Sequence, residues 1–124
     1  AHPKQVSISS ELKKISKDKK NVVFTQNIKE AVNNSNCIIT DTWFSMGSKK
    51  NNLYEKHFMK YQVNKKNLKG AHAKCAFMHC LPAKRGKEVS AEIIDDRKVS
   101  IVWDEAENRL HVQKAILEWC LKKI

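Results

Sequence analysis

The sequence predicts an α/β domain built on a doubly wound parallel sheet. Short β-rich segments alternate with segments of helical periodicity along the chain, the alternation typical of parallel sheets. The segment before Pro82 is apolar at consecutive positions rather than at every second one, which indicates a strand covered on both faces. Polar residues follow the predicted strands, and open parallel sheets place their ligands at the carboxyl ends of strands.

The first half of the chain is predicted to contain two strands and three helices. Ser9-Ser10-Glu11 is typical of the start of a short helix, and Asn27 of the start of a second one. Residues 22–25 and 37–40 are rich in β-branched side chains and bounded by polar residues, so both are predicted strands. From Asn51 an apolar stripe predicts a third helix.

The second half repeats the alternation. Residues 74–78 form a predicted strand that Pro82 ends, because proline cannot donate a backbone hydrogen bond. A brief helix near 90–94 precedes a predicted strand at 100–103. The closing helix, at about 107–122, has an apolar face wide enough to need two packing partners, and a chain of this length supplies one of them.

Three polar segments should meet at one edge of this sheet: residues 41–47, Cys80-Leu81-Pro82 and residues 107–109. Asp41 would hold an ammonium group, Arg109 would bind an oxyanion or phosphate, and Cys80 would lie beside the reacting atom. Each residue also has a plain structural interpretation. Asp41 could cap a turn, Cys80 could be a buried thiol, and Arg109 could form a surface ion pair.

Two further chemistries are disfavoured. His79 is a poor general base for Cys80, because neighbours on a strand point to opposite faces. The same alternation separates Cys80 from Cys75 and His79, so a zinc site with His72 is not expected, and we predict no metal.

Composition limits the class of protein. The chain has 124 residues, no apolar run long enough to cross a membrane and no Cys-x-x-Cys pair, so we expect one reduced, cytoplasmic domain or part of one. Its formal charge of +11 comes mostly from lysine. A lysine-rich nucleic-acid-binding module is therefore an alternative, although nucleic-acid readers favour arginine and exposed aromatics, and we expect no nucleic acid as partner.

Three blocks of residues resemble one known family. They are Asp41-Thr42-Trp43-Phe44-Ser45-Met46-Gly47, His79-Cys80-Leu81-Pro82 and Ala106-Glu107-Asn108-Arg109. In this order and spacing they resemble the ornithine-binding, carboxyl-terminal domain of the ornithine carbamoyltransferases, whose fold is a Rossmann-like parallel sheet. The resemblance covers residues 1–124, and Tyr61-Gln62-Val63 also matches.

The resemblance implies transfer of a carbamoyl group from carbamoyl phosphate to the δ-amine of L-ornithine, giving citrulline and phosphate for arginine biosynthesis. Asp41, Ser45 and Met46 would bind ornithine, and Cys80, Leu81 and Arg109 would bind carbamoyl phosphate, with Asp41, Cys80 and Arg109 as the catalytic residues. It also implies a cis Leu81–Pro82 bond and no metal or organic cofactor.

The chain departs from the family in what it lacks. The amino-terminal carbamoyl-phosphate domain, with its Ser-x-Arg-Thr-Arg loop, is not in this sequence. We therefore expect this chain to be a partial domain that is inactive alone. The resemblance implies that the full-length protein is a homotrimer. Putrescine or acetylornithine carbamoyltransferases are alternatives within the same superfamily, although Ser45-Met46-Gly47 favours ornithine.

Overall fold

Helices surround a short parallel sheet in this protein, for which a computed structural model describes residues 1–44 and 52–122. The elements in chain order are α1 (Ser10–Ser16), α2 (Ile28–Val32), β1 (Cys37–Thr40), α3 (Asn52–Met59), β2 (Ala76–His79), α4 (Ala91–Ile94) and α5 (Val102–Leu121). The predicted cap of α2 is confirmed, because the Asn27 side chain accepts hydrogen bonds from the backbone N–H groups of Lys29 and Glu30.

β1 and β2 run parallel, with Cys37 opposite Ala76 and Thr40 opposite His79. On the other side of β2, a single parallel bridge joins Phe77 to Ser100. This bridge rests on backbone hydrogen bonds of 2.7 Å from Phe77 N–H to Val99 C=O and 3.0 Å from Ile101 N–H to Phe77 C=O. The predicted α/β class is confirmed as a small, incomplete parallel sheet with helices.

The core is a cluster of apolar side chains packed on β2. Phe77 is fully buried at its centre, and α4 and the first turn of α5 supply part of the surrounding side chains. The buried members of the cluster are Val63, Phe77, Val89, Ile93, Ile94 and Val102. This packing fixes where β2 ends relative to α5, and therefore where the candidate site lies.

The strand predicted at residues 22–25 is wrong. These residues form no regular element, and Val23 is 71% exposed. The Thr25 carbonyl accepts a hydrogen bond from the His2 backbone N–H at 3.1 Å. A strand needs a neighbour to pair its backbone groups, and β-branched composition alone does not supply one.

The strand predicted at residues 100–103 is also largely wrong. Ser100 keeps its one bridge, but α5 begins at Val102, five residues before the predicted start of the closing helix. The Glu105 backbone N–H already donates to the Ile101 carbonyl at 2.9 Å. A short apolar run cannot be assigned to a strand or a helix by periodicity, and here the helix forms.

Beyond its first turn, α5 packs less than its sequence predicts. Val102 is its one buried residue among those described, whereas Val112, Ile116 and Leu117 are each more than half exposed. The described chain thus covers only the start of a helix whose apolar face was expected to have two partners. None of the helices in residues 1–44 and 52–122 combines the length and hydropathy of a transmembrane segment.

Candidate functional site

Asp41 and Cys80 lie side by side because β1 and β2 end level with each other. Thr40 is paired with His79 in the sheet, so the next residue of each strand emerges at the same height. The Cys80 thiol donates a hydrogen bond to Asp41 Oδ1, with a sulfur–oxygen distance of 3.3 Å. The predicted meeting of a carboxylate and a thiol at this edge is therefore present.

The Asp41 carboxylate is held by its own loop. Its Oδ1 atom also accepts a hydrogen bond of 2.6 Å from the Thr42 backbone N–H, and the Thr42 hydroxyl donates to the Phe44 carbonyl at 2.7 Å. Asp41 remains exposed. An oriented, accessible carboxylate of this kind can bind an ammonium group from a small molecule.

The surroundings of Cys80 favour the protonated thiol over the thiolate. The hydrogen bond to Asp41 raises the pKa of the Cys80 thiol from its ordinary value of 9.0, and burial and the negative charges of Asp41 and Glu105 raise it further. Nucleophilic cysteines need a lowered pKa, because the thiolate is the attacking species. Hydrogen-bond donation and contact with a ligand are thus the roles that suit Cys80.

Leu81 has a backbone conformation that is rare outside glycine. Its φ of +54° lies in the left-handed region, where few non-glycine residues occur. Its N–H donates to His79 Nδ1 at 2.9 Å, and the Leu81–Pro82 peptide bond is cis, as the resemblance implied. The chain therefore turns sharply directly after Cys80.

Arg109 lies on α5, inside the predicted closing helix, but in the second turn instead of at the helix start, because α5 begins at Val102. It is exposed, and no hydrogen bond or ion pair within residues 1–44 and 52–122 joins it to Asp41 or Cys80. It is four residues after Glu105, so the two side chains share one helix face. Both line a shallow depression with Asn108, Val112 and Gln113.

Glu105 is the functional candidate that our sequence interpretation missed. Its Oε2 atom accepts a hydrogen bond of 2.9 Å from the His79 backbone N–H, which ties the first turns of α5 to the end of β2. The spacing of Glu105 and Arg109 would have indicated a shared face if the helix start at Val102 had been recognised. Glu105 brings the helix that carries Arg109 to the edge where Asp41 and Cys80 meet.

The predicted ornithine-binding residues Ser45 and Met46 lie outside the described residues, as does Gly47. Tyr61-Gln62-Val63, which also matched the family, has a structural role: Gln62 Nε2 donates to the Gly86 carbonyl at 3.0 Å, and Val63 forms a parallel bridge with Val89. Within the described ranges, no group of three or more His, Cys, Asp or Glu side chains is arranged to hold a metal ion.

A cavity of about 540 Å³ opens beside Asp41. Thr40, Thr42 and Trp43 line it on the side of the β1 loop, and His2 and Pro3 on another side. Cys80 does not line it, so the cavity borders the Asp41–Cys80 pair rather than containing it. A small ligand at the sheet edge would have access to Asp41 from this space.

Comparison with known proteins points to one family. The family model for the aspartate/ornithine carbamoyltransferase, Asp/Orn binding domain, matches residues 1–120 of this chain. An ornithine carbamoyltransferase of Rhodopseudomonas palustris is 54% identical over 92 residues, which are 74% of this chain and 29% of that protein. One of Brucella abortus is 50% identical over 101 residues, 82% of this chain and 32% of that protein.

A solved structure also matches this chain. The anabolic ornithine carbamoyltransferase of Campylobacter jejuni matches with a TM-score of 0.84 and 33% identity, over 96% of this chain and 41% of that one. The chain thus spans less than a third of the two curated relatives described above.

Proposed function

Because this chain belongs to the aspartate/ornithine carbamoyltransferase family, we propose that residues 1–124 are the ornithine-binding part of an ornithine carbamoyltransferase. The whole enzyme would transfer the carbamoyl group of carbamoyl phosphate to the δ-amine of L-ornithine, giving L-citrulline and phosphate in arginine biosynthesis. The observation that carries the proposal is the 3.3 Å contact between Cys80 Sγ and Asp41 Oδ1 at the sheet edge. It supports a site that places an amine-bearing substrate beside a protonated thiol.

In the proposed reaction, the δ-amine nitrogen forms a bond to the carbonyl carbon of carbamoyl phosphate. The bond from that carbon to the phosphate oxygen breaks, its electron pair leaves with the phosphate, and the nitrogen gives its proton to the departing phosphate. Asp41 binds the amino-acid end of ornithine, Cys80 lies by the reacting amine, and the Leu81 carbonyl accepts from the carbamoyl amide. Catalysis then depends on positioning and on stabilising charge, with no covalent intermediate on the protein.

Arg109 would stabilise the carbamoyl oxygen as negative charge develops on it. Its place one helical turn after Glu105 supports this role, since the two side chains share a helix face and Glu105 contacts the end of β2. Ser45 and Met46 are proposed as further ornithine contacts from the family resemblance alone.

The proposed partners are L-ornithine, carbamoyl phosphate and the carbamoyl-phosphate domain of the same enzyme, in a cytoplasmic homotrimer. The carbamoyl-phosphate domain would have an apolar surface to pack on in α5, where Ile116 and Leu117 are 54% and 63% exposed. We propose no metal or organic cofactor, since general positioning and electrostatics suffice for the transfer.

Calorimetric titration of the chain separates this proposal from the lysine-rich binding module. We expect weak heat with L-ornithine, with a Kd on the order of 1 mM, and less with putrescine or N-acetylornithine. An oligonucleotide should give no salt-sensitive heat. Salt-sensitive oligonucleotide binding without an ornithine signal would contradict the proposal.

Activity can be tested in a chimera in which this chain replaces the matching residues of the Rhodopseudomonas palustris relative. Citrulline formation is expected, and Asp41→Asn should lower kcat/KM by about 100-fold, because the substrate is no longer held in a reactive position. Asp18→Asn, an exposed aspartate beyond α1, is the matched control and should leave the rate unchanged.

A further inference from the structure

His79 and Glu88 are two polar side chains buried at the base of the candidate site. Their side chains are 0% and 1% exposed, and they lie among the apolar core residues around Phe77 and Val89. Buried polar groups destabilise a protein unless they are hydrogen-bonded, and a well-packed apolar pair would often serve as well. The presence of a histidine and a carboxylate here therefore calls for a role beyond filling space.

The hydrogen bonds of His79 define its protonation pattern. The Leu81 backbone N–H donates to Nδ1 at 2.9 Å, so Nδ1 must be without a proton. The ring proton is then on Nε2, which lies 3.5 Å from Glu88 Oε1. That distance is longer than an ordinary N–H···O hydrogen bond, and Nε2 has no hydrogen-bond partner among the described residues. The Glu88 carboxylate is nevertheless a charged group that lies near the protonated ring nitrogen.

Glu88 is itself fixed by the loop that follows Pro82. Its Oε1 atom accepts a hydrogen bond from the Lys84 backbone N–H, and its carbonyl accepts one of 2.8 Å from Val63 N–H. Since Glu88 is buried and doubly held, it is a rigid support for the His79 ring. The contact series thus runs from Glu88 through the imidazole to the backbone of Leu81.

Leu81 needs such support because its φ of +54° is unfavourable for a residue with a Cβ atom. Its N–H lies past the last paired residue of β2, where no strand partner accepts it. His79 Nδ1 takes the place of that partner. If Nδ1 carried the proton instead, two donors would face each other and the turn could not be held.

We propose that Glu88 and His79 are positioning residues: the carboxylate holds the imidazole in its Nε2-protonated form, and the imidazole holds Leu81 in the conformation that presents Cys80 and the Leu81 carbonyl to ligand. The role in ligand presentation rests on the proposed carbamoyl transfer. The hydrogen-bond arrangement itself does not.

The first test is the tautomer of His79 in the intact chain, measured by nitrogen-15 NMR of the imidazole ring. We expect the neutral ring to be protonated at Nε2 and unprotonated at Nδ1, because Nδ1 accepts the hydrogen bond from Leu81 N–H. A ring protonated at Nδ1, alone or together with Nε2, would overturn the proposal.

The second test compares amide hydrogen exchange at Leu81 and at Phe77 in Glu88 variants. Glu88→Leu removes the carboxylate near Nε2, which should weaken the hydrogen bond from Leu81 N–H to His79 Nδ1. Exchange at Leu81 should then become about tenfold faster relative to Phe77, the effect expected when one hydrogen bond is lost. Glu88→Gln keeps an acceptor oxygen and should stay within about twofold. Exchange that rises equally at Phe77 would mean general destabilisation and would contradict a positioning role.

A pair of His79 variants keeps the test decisive should Glu88→Leu fail to fold. His79→Asn retains an acceptor near the position of Nδ1, whereas His79→Gln retains a donor nearer Nε2. We expect His79→Asn to protect the Leu81 amide and His79→Gln to lose that protection. The opposite order would overturn the proposal.

Ligand presentation is tested by adding L-ornithine and recording the backbone amide signals of the chain by NMR. The amide signals of Cys80 and Leu81 should shift in the unaltered chain, and His79→Gln should weaken that response at least about tenfold, as expected when a supporting hydrogen bond is lost. No response in the unaltered chain would count against the proposed function, while the tautomer and exchange results would still decide the role of Glu88 and His79. An undiminished response in His79→Gln would overturn the inference alone.

Discussion

At the scale of single residues, Asp41 sets both the position and the protonation of the Cys80 thiol. The same 3.3 Å hydrogen bond that brings the two side chains together also raises the pKa of the thiol. A protonated sulfur is a weak nucleophile, so it does not compete with a neutral amine for attack on the substrate carbon. It also adds no second negative charge beside the Asp41 carboxylate. The pair therefore favours binding and positioning over covalent chemistry.

Asp41→Asn is predicted to make Cys80 more reactive. Because the Asp41 carboxylate raises the pKa of Cys80, its replacement by an amide should lower that pKa and increase the thiolate fraction at any pH below it. Alkylation by iodoacetamide at slightly alkaline pH, followed by peptide mass spectrometry, should be severalfold faster at Cys80.

Cys120 provides an internal control for this experiment. It is an exposed thiol near the end of α5, and its alkylation rate should be the same in both proteins. Unchanged or slower alkylation of Cys80 in the variant would show that Asp41 does not suppress the thiolate.

At the scale of secondary structure, β2 organises the protein. It pairs with β1 on one side and bridges to Ser100 on the other, and its Phe77 side chain is the centre of the core. The neighbouring strand β1 is more peripheral, since Ile39 is 68% exposed. Loss of side-chain volume should therefore matter much more in β2 than in β1.

Phe77→Ala is predicted to reduce the free energy of unfolding by about 3–5 kcal/mol, the usual effect of truncating a buried aromatic residue. Since small domains have little stability to spare, this loss should abolish most of the cooperative transition in urea. Ile39→Ala, the matched change at an exposed strand position, should alter the free energy of unfolding by no more than about 0.5 kcal/mol. Equal effects of the two substitutions would contradict the described core.

At the scale of the whole molecule, charge is the dominant feature. The formal charge of +11 comes from 24 Lys and Arg against 13 Asp and Glu. The lysines of α1 and the loop after it are exposed. A net charge this far from zero destabilises the compact state through self-repulsion, and salt screens that repulsion.

Raising NaCl from about 20 mM to about 200 mM, which shortens the screening length below about 10 Å, is predicted to increase the Tm of the chain. A variant with Lys13, Lys14 and Lys17 changed to Gln lowers the formal charge from +11 to +8 and should show a smaller increase. A Tm that falls with salt would indicate that attractive ion pairs outweigh the repulsion.

The sequence alone predicted the parallel sheet and the neighbouring positions of Asp41 and Cys80. Both follow from local rules: Cys37–Thr40 and Ala76–His79 are recognisable strands, and parallel strands bring their carboxyl ends to one edge. It also predicted the cap at Asn27, because capping depends on residues within one helical turn.

Only the tertiary structure decided the rest. Whether residues 22–25 or 100–103 form strands depends on a partner that local sequence does not reveal, and here α5 takes the second segment from Val102 onward. That one change begins α5 five residues earlier than predicted, so that Glu105 lies in its first turn and accepts a hydrogen bond from the His79 backbone at the end of β2. The burial of His79 against Glu88 is likewise a contact between a strand and a later loop, and such contacts are set by packing, because propensity acts only between near neighbours in the chain.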